Sequence, residues 1–238
     1  HTNADKARRV QKMFAAIAHR YDLNNRLHSA WQDQAWRRRV VAVAGVTSED
    51  RVLDMACGTG DLTLLLAASQ PASTLGMDFT EEMLVHAREK ATQWGARTGH
   101  AMPEFRQGDA MKIELPDGSM DLVTIAFGIR NVTDPAVAIG EFARILAPGG
   151  RLLILEFSEP ANRVIRAFNS LYTKHLMPWT ATWISGDRTG AYKYLPKSIP
   201  TFAQPAELAQ MMQGAGLMQI SQKQLTGGVC TISMATKH

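Results

Sequence analysis

Three aspartates and a glycine turn carry the chemistry legible in this chain. The run Val52-Leu53-Asp54-Met55-Ala56-Cys57-Gly58-Thr59-Gly60-Asp61 leaves a short apolar segment, crosses a glycine-bearing turn and opens into the helical pattern Leu62-Thr63-Leu64-Leu65-Leu66. Strand–turn–helix starts of this kind bind nucleotides. Glycine lets the backbone approach a ligand, and the open helix end presents unpaired N–H groups. The form is D-x-x-x-G-x-G, shorter than the G-x-G-x-x-G of dinucleotide sites. Asp78 ends the next strand-like run, Thr74-Leu75-Gly76-Met77-Asp78, where a carboxylate can accept from both hydroxyls of a ribose. Asp109 ends a third such run, 105–109, and with the backbone of Ala110 is placed to read an adenine edge. Asp54, Gly58, Gly60, Asp78, Asp109 and Ala110 are therefore expected around an adenosine-containing cofactor.

Charge narrows the choice of cofactor. A pyrophosphate needs a helix start free of negative charge, and Asp61 follows the glycine turn directly. A donor without phosphate, carrying a cationic amine and a sulfonium, tolerates that field. S-adenosylmethionine is such a molecule and is the expected cofactor.

The bulk properties fit one large α/β domain. The chain has 238 residues, 45% hydrophobic and 20% charged, an ordinary globular composition. No apolar run approaches the roughly 18 residues that span a bilayer, and the first thirty residues lack the apolar core of a signal peptide. The chain opens on His1 in place of Met, which suggests processing. Cys57 and Cys230 lie far apart without metal-type spacing, which favours a reducing cytoplasm over a disulfide scaffold. The seven histidines are scattered, so no metal site is expected. A net charge of +4 does not imply nucleic acid. Lys6, Arg8, Arg9, Lys12, Arg37, Arg38 and Arg39 form a basic N-terminal cluster, read as a solvated face, with anionic lipid as the alternative.

Helix and strand signals alternate around these residues. Val10, Met13, Phe14, Ile17 and Tyr21 recur at helical spacing, and a second helical pattern covers 31–43. Strands are expected near 51, over 73–78, 105–109, 121–127 and 151–157, with helices over 62–69, 80–94 and 134–146. The helix over 134–146 is expected to stop at Pro148-Gly149-Gly150. Strands separated by helices imply parallel βαβ units and a sheet covered on both faces. After residue 158 the alternation breaks. An aromatic-rich stretch with Tyr172, Trp179, Trp183, Tyr192 and Tyr194 reads as a helical lid. A helix over 205–214 and strands near 217–223 and 228–235 complete seven strands. The expected partition is an N-terminal helical segment 1–45, a cofactor-binding core 46–158, a lid 159–204 and a sheet completion 205–238.

At this level the chain resembles the ubiquinone/menaquinone biosynthesis C-methyltransferase family along nearly its whole length. The resemblance rests on Tyr21-Asp22-Leu23-Asn24-Asn25 with Trp36-Arg37, the glycine loop, and Thr124-Ile125-Ala126-Phe127-Gly128-Ile129-Arg130-Asn131-Val132-Thr133-Asp134. It continues through Arg144-Ile145-Leu146-Ala147-Pro148-Gly149-Gly150-Arg151, Leu155-Glu156-Phe157, Tyr194-Leu195-Pro196-Lys197-Ser198-Ile199 and Leu225-Thr226-Gly227-Gly228. It implies a Rossmann-like class I S-adenosylmethionine-dependent methyltransferase: a seven-stranded, mostly parallel sheet with helices on both faces, N-terminal helices and a helical lid. It also implies cofactor contacts at Thr59, Asp78, Asp109 and Ala110, and at Ala126, where the family often has serine. The implied reaction is methylation of a ring carbon of a reduced polyprenyl quinone precursor, such as demethylmenaquinol or the related benzoquinol. Another phenolic or polyketide acceptor is the alternative, and a catalytically silent adenosyl-binding scaffold is the non-enzyme reading. The turn after the fourth strand is Phe127-Gly128-Ile129-Arg130, not the N-P-P-Y-like turn of nucleic-acid amino-methyltransferases.

The chemistry then has named candidates. A quinol hydroxyl resembles tyrosine, with a pKa of about 10, and its ring carbon becomes strongly nucleophilic as the proton leaves. Arg130, always protonated, is expected to stabilise the phenolate, or else to pair with a helix acid such as Asp134. Asn131 is expected to orient a water or hydroxyl. Tyr21 is expected to cover the cofactor or bond to the substrate, with simple packing as the alternative. Asp22 and His175 are candidate proton acceptors, and Cys57 reads as a small loop-filling residue. Each buried CH₂ of a polyprenyl tail contributes about 0.8 kcal/mol, so 164–183 is expected to shelter the tail or dip into a bilayer surface. The expected location is cytoplasmic with a peripheral membrane contact. A homodimer is compatible with the sequence.

Overall fold

The computed structural model describes residues 3–172 and 202–238. Its centre is a seven-stranded sheet in the order β3-β2-β1-β4-β5-β7-β6. The strands are β1 (Arg51–Met55), β2 (Ser73–Asp78), β3 (Glu104–Gln107), β4 (Met120–Ala126), β5 (Leu146–Phe157), β6 (Leu217–Leu225) and β7 (Cys230–Lys237). The first five run parallel, and β7 is antiparallel to both β5 and β6.

Adjacent residues of the central strands feed two cores. Leu53, Met55, Val123, Ile125, Leu152 and Ile154 enter one, whereas Val52, Leu122, Leu153 and Leu155 enter the other. Because side chains alternate across a pleated strand, an unbroken apolar run must be covered on both faces. One face is covered by α6 (Pro135–Ile145) and α8 (Pro205–Gly214), the other by α3 (Gln32–Ala44) and α4 (Asp61–Ala67). Local sequence fixes the helix starts. Asp134 accepts from Ala136 N and Val137 N with Pro135 behind it, and Gln204 forms a reciprocal capping box with Glu207 before α8.

Several expected boundaries shift. The strand expected from 151 begins at Leu146: Pro148-Gly149-Gly150 lies inside β5, and the register against β4 slips between Met120 and Leu122. The third strand stops at Gln107, so Asp109 sits in a turn beyond it and bridges to Lys112. The N-terminal stripe is broken. α1 (Asn3–Ile17) ends in a short 3₁₀ turn, and a separate helix, α2 (Tyr21–His28), follows before Ala30 and Trp31 turn the chain through positive φ. The fifth helix, α5 (Glu81–Thr98), runs a turn further than expected and ends at Gly99. Of the expected lid, α7 (Arg163–Leu171) and Tyr172 are described. Trp179, Trp183, Tyr192, Tyr194 and His175 lie outside the described residues.

Candidate active site

β1 and β4 are neighbours whose following chains depart to opposite sides of the sheet, and this switch point is where open α/β sheets bind ligands. A pocket of about 830 Å³, counting its open mouth, lies there. Met55, Ala56 and Gly58 form its floor after β1; Asp78, Phe79 and Thr80 stand beside them after β2. Asp109, Ala110 and Met111 close one end, and Ala126–Gly128 with Asn131–Thr133 the other. Val10, Gln11, Phe14 and Tyr21 reach over it from the N-terminal helices. Asp78, Asp109, Ala110, Gly58, Ala126, Asn131 and Tyr21 are thus brought together, although they span 111 positions of sequence between Tyr21 and Asn131 at the extremes.

The acids are fixed by backbone N–H groups. Asp78 Oδ2 accepts from Gly58 N and Oδ1 from Thr80 N, each at 2.8 Å, which fixes the carboxylate where it lines the pocket. Burial pushes the Asp78 carboxyl up, against the pull of these N–H groups. Asp109 Oδ1 accepts from Met111 N at 2.9 Å, which aims the carboxylate into the turn. Two strand ends hold non-glycine residues at positive φ, Ala56 at 53° and Phe127 at 59°, and both line the pocket. Such backbone costs of order 1–3 kcal/mol and clusters at functional sites. Gly128 lets these two turns meet: a Cβ there would stand 2.5 Å from the Ala56 Cβ.

A model of the ubiE/COQ5 methyltransferase family matches residues 2–237. The chain belongs to this family. Among its relatives, a demethylmenaquinone methyltransferase of Deinococcus radiodurans is 43% identical over 98% of this chain and 95% of its own. One of the same name from Thermus thermophilus is 43% identical over 94% of this chain and all of its own. A ubiquinone/menaquinone biosynthesis C-methyltransferase of Teredinibacter turnerae is 37% identical, covering 98% of this chain and 93% of its own. The fold is shared more widely. A SAM-dependent methyltransferase of Thermotoga maritima aligns with a TM-score of 0.69 at 19% identity, over 96% of this chain and 100% of that one. A magnesium protoporphyrin IX methyltransferase of Synechocystis, solved with bound SAM, gives 0.57 at 16% identity, over 86% and 79%.

The cofactor of this ubiE/COQ5-family methyltransferase is S-adenosylmethionine. The pocket suits it: carboxylates of Asp78 and Asp109 line it, Ala110 lies beside Asp109, and Gly128 lets the turns at Ala56 and Phe127 pack closely along its wall.

Other expected residues lie around the family's pocket without lining it. Thr59 is buried, and its hydroxyl donates to Asp22 Oδ1 at 2.5 Å. Asp22 also accepts from Lys90 Nζ at 2.8 Å, so the expected proton acceptor is held in an ion pair outside the pocket. Gly60 starts α4 at φ 82° and faces Phe105, which would stand 3.1 Å from a Cβ. Asp54 is buried beneath the loop and accepts from Thr63 Oγ1 at 2.6 Å and Thr124 Oγ1 at 2.8 Å. Burial raises its pKa to about 6, against those two hydroxyls.

Asp61 differs from expectation. Its carboxylate does not project into the pocket as a bare charge, because Lys90, Arg26 and Gln34 all donate to it. Burial pushes Asp61 up, but Lys90, Arg37 and Arg26 more than offset this and hold it below the usual carboxylate range. The cofactor therefore rests on the family and on Asp78 and Asp109, not on repulsion of phosphate by Asp61.

Arg130 does not line the pocket either, nor does it pair with Asp134. Its Nη1 donates to Glu156 Oε1 at 2.5 Å and to Phe127 O at 3.0 Å, and its guanidinium lies over the Phe157 ring. Asn131 does line the pocket; its amide reaches Phe127 O at 3.4 Å. Burial raises the Tyr21 hydroxyl's pKa, opposed by nearby Arg37 and Arg130, so at neutral pH it stays protonated. Cys57 is likewise pushed up by burial and is no nucleophile.

Sequence reasoning missed Glu156 and Lys90. Glu156 had a visible signal, a lone carboxylate inside the apolar strand Leu152-Leu153-Ile154-Leu155. Lys90 had none, since a lysine on a helix is ordinarily solvated. Val10 and Phe14 were in the stripe, but their four-residue spacing points them to the pocket while Met13 and Ile17 enter the core.

Proposed function

We propose that this methyltransferase alkylates a ring carbon of a reduced polyprenyl quinone precursor of the demethylmenaquinol type. What carries the reading is the 43% identity, over 95–100% of their length, to relatives named demethylmenaquinone methyltransferase. The pocket supports it, with an apolar wall at Ala126 and Phe127 and one amide, Asn131, at the end away from Asp109.

When bound, the cofactor supplies an electrophilic methyl on a cationic sulfur. Asp78 would hold the ribose hydroxyls and Asp109 with the Ala110 backbone the adenine, Gly58 and Ala126 would line the approach, and Thr59 and Gly60 would shape the loop from outside the pocket. Asp54 supports this loop from below. On the acceptor side, Asn131 holds the quinol hydroxyl, or a water beside it, as the proton leaves. Arg130 acts from behind: paired with Glu156, it braces the Phe127 carbonyl at the strained turn that walls the acceptor side. Tyr21 covers the pocket.

The polyprenyl tail calls for an apolar exit. Among the described residues no helix is long and apolar enough to cross a membrane. On α7, Val164 is 78% and Leu171 63% exposed, and on α2 and the turn after it Leu23, Leu27 and Trp31 are exposed. Tyr172 Oη ties the two regions by donating to His28 O at 2.8 Å. These side chains suit a peripheral contact with a bilayer surface, with segment 159–204 as the lid, and flotation with anionic liposomes tests it: absence of binding with and without quinol contradicts the contact. Acceptor class is tested by offering reduced naphthoquinols, benzoquinols and simple phenols in parallel. Turnover confined to prenylated quinols supports the reading, and turnover confined to other phenols overturns it.

A further inference from the structure

Lys90 joins pieces of chain that are distant in sequence. From α5 its ammonium donates to Asp22 Oδ2 on α2 at 2.8 Å, to Thr59 Oγ1 in the glycine turn at 3.2 Å, and to Asp61 Oδ1 at the start of α4. An ammonium has three donors, and here each meets one acceptor. Arg26 adds a second cation, 3.2 Å from Asp61 and 4.0 Å from Asp22, so two carboxylates face two cations. Thr59 closes the ring by donating to Asp22.

Among the described residues, α2 is also held by Tyr172, which donates to His28 O, and by Tyr21 against Phe14. Of its eight residues only Asn24 is buried, while Leu23 and Leu27 are exposed. An element with so little apolar burial opens locally at low cost, so polar contacts decide where it rests. The contacts on the outside match contacts on the inside. Asp22 follows Tyr21 and Thr59 follows Gly58, and Tyr21 and Gly58 both line the pocket. Tyr21 Cε1 lies 4.0 Å from the point where a Cβ on Gly58 would stand, and its ring packs edge-on against Phe14.

We infer that Lys90 is a positioning residue for the cofactor: it latches α2 against the glycine turn, so that Tyr21 and Phe14 close the pocket, and the cofactor leaves only when this latch opens. The inference rests on the pocket being the cofactor site. It adds that retention of the cofactor is set by a residue that does not touch it.

The test compares wild type, Lys90→Met, Asp22→Asn and the double variant, by calorimetry with S-adenosylmethionine and S-adenosylhomocysteine and by stopped-flow dissociation. Lys90→Met is expected to weaken cofactor binding about five- to tenfold, the scale of one charge-assisted hydrogen bond in a partly exposed site. The loss should appear as faster dissociation and raised KM for the cofactor more than as lowered kcat. The double variant should lose no more than Lys90→Met alone, because both remove the same latch. Amide exchange over 21–28 should quicken in Lys90→Met and slow again when S-adenosylmethionine is added. If Lys90→Met does not fold, Asp22→Asn carries the same comparison. Unchanged dissociation in a folded variant, or equal losses toward cofactor and acceptor, overturns the latch. Failure of the wild type itself to bind S-adenosylmethionine would instead overturn the cofactor site.

Discussion

Arg130 Nη1 lies 2.5 Å from Glu156 Oε1, and both side chains are buried at the ends of β4 and β5. Glu156 Oε1 also accepts from Phe157 N, while Arg130 reaches the carbonyl of Phe127, whose φ is positive. Burial pushes the Glu156 carboxyl up, and Arg130 and the Phe157 N–H draw it back. The pair thus braces the strained turn that forms one wall of the pocket. Removing one member of a buried pair costs about 3–5 kcal/mol, because the other charge is left uncompensated. Arg130→Ala and Glu156→Ala should each lower stability on that scale and reduce turnover, with cofactor affinity retained. Arg130→Met/Glu156→Leu should recover much of the stability and none of the turnover. Denaturant unfolding together with kcat checks this; full turnover in the double variant would remove Arg130 from the mechanism.

Asp78 is the acid most directly committed to the cofactor. Its two oxygens are held by Gly58 N and Thr80 N, so Asp78→Asn replaces one acceptor with an amide NH2 donor facing an N–H group. Cofactor affinity should fall by about 10- to 100-fold, the loss of one or two charge-assisted hydrogen bonds. Acceptor KM at saturating cofactor should change little. Calorimetry reads the first and steady-state kinetics the second, and retained affinity would place the ribose elsewhere.

Asp54 predicts a pH dependence of stability. Its pKa is raised by burial from 3.8 to about 6. A carboxyl raised on folding is protonated in the folded state first. Below about pH 4 both states are protonated and Asp54 contributes no penalty. As pH rises from about 4 to 6 the unfolded chain ionises first, and stability falls by about 3 kcal/mol. Other carboxyls titrate too, so the informative quantity is the difference from Asp54→Asn. The melting temperature of wild type should drop relative to that variant across this window and run parallel to it above pH 7. A constant difference from pH 4 to 7 would contradict the raised pKa.

The central fold was legible because hydrophobic pattern alone decides it. Runs such as Leu152-Leu153-Ile154-Leu155 fit only strands buried on both faces, and the helices between them force parallel pairing. Asp78 was legible because it ends its strand, as the pattern marks; Asp109 was found although its strand stops two residues earlier, at Gln107. Which distant segments would meet left no local trace, even where one partner, Glu156, stood out. Lys90 with Asp61, and Arg130 with Glu156, are paired by the sheet order and not by spacing. The same holds for β5: Pro148-Gly149-Gly150 is a stop signal locally, yet Met120 pairs with Leu146 and extends the strand past it. The break between α1 and α2 was hidden because Tyr21 continues the apolar stripe of α1.

Two glycines provide a matched pair of controls. Gly128→Ala would place a Cβ 2.5 Å from the Ala56 Cβ, whereas Gly140 in α6 has nothing within 4 Å of that position. Gly128→Ala should destabilise by about 1–3 kcal/mol through forced repacking and weaken the cofactor, since Ala56 lines the pocket. Gly140→Ala should stabilise by about 0.4–1 kcal/mol through the unfolded chain without touching affinity. Thermal melts with and without S-adenosylmethionine distinguish them, and equal behaviour would contradict the close packing of the two turns at Gly128.

The most direct test follows one labelled methyl group. Wild type is incubated anaerobically with methyl-labelled S-adenosylmethionine and reduced demethylmenaquinol, and the product is examined by mass spectrometry and carbon NMR. The account predicts a single added methyl on a ring carbon, with S-adenosylhomocysteine formed in equal amount. Label on a hydroxyl oxygen, or tight cofactor binding with no label in any prenylated quinol, would contradict it.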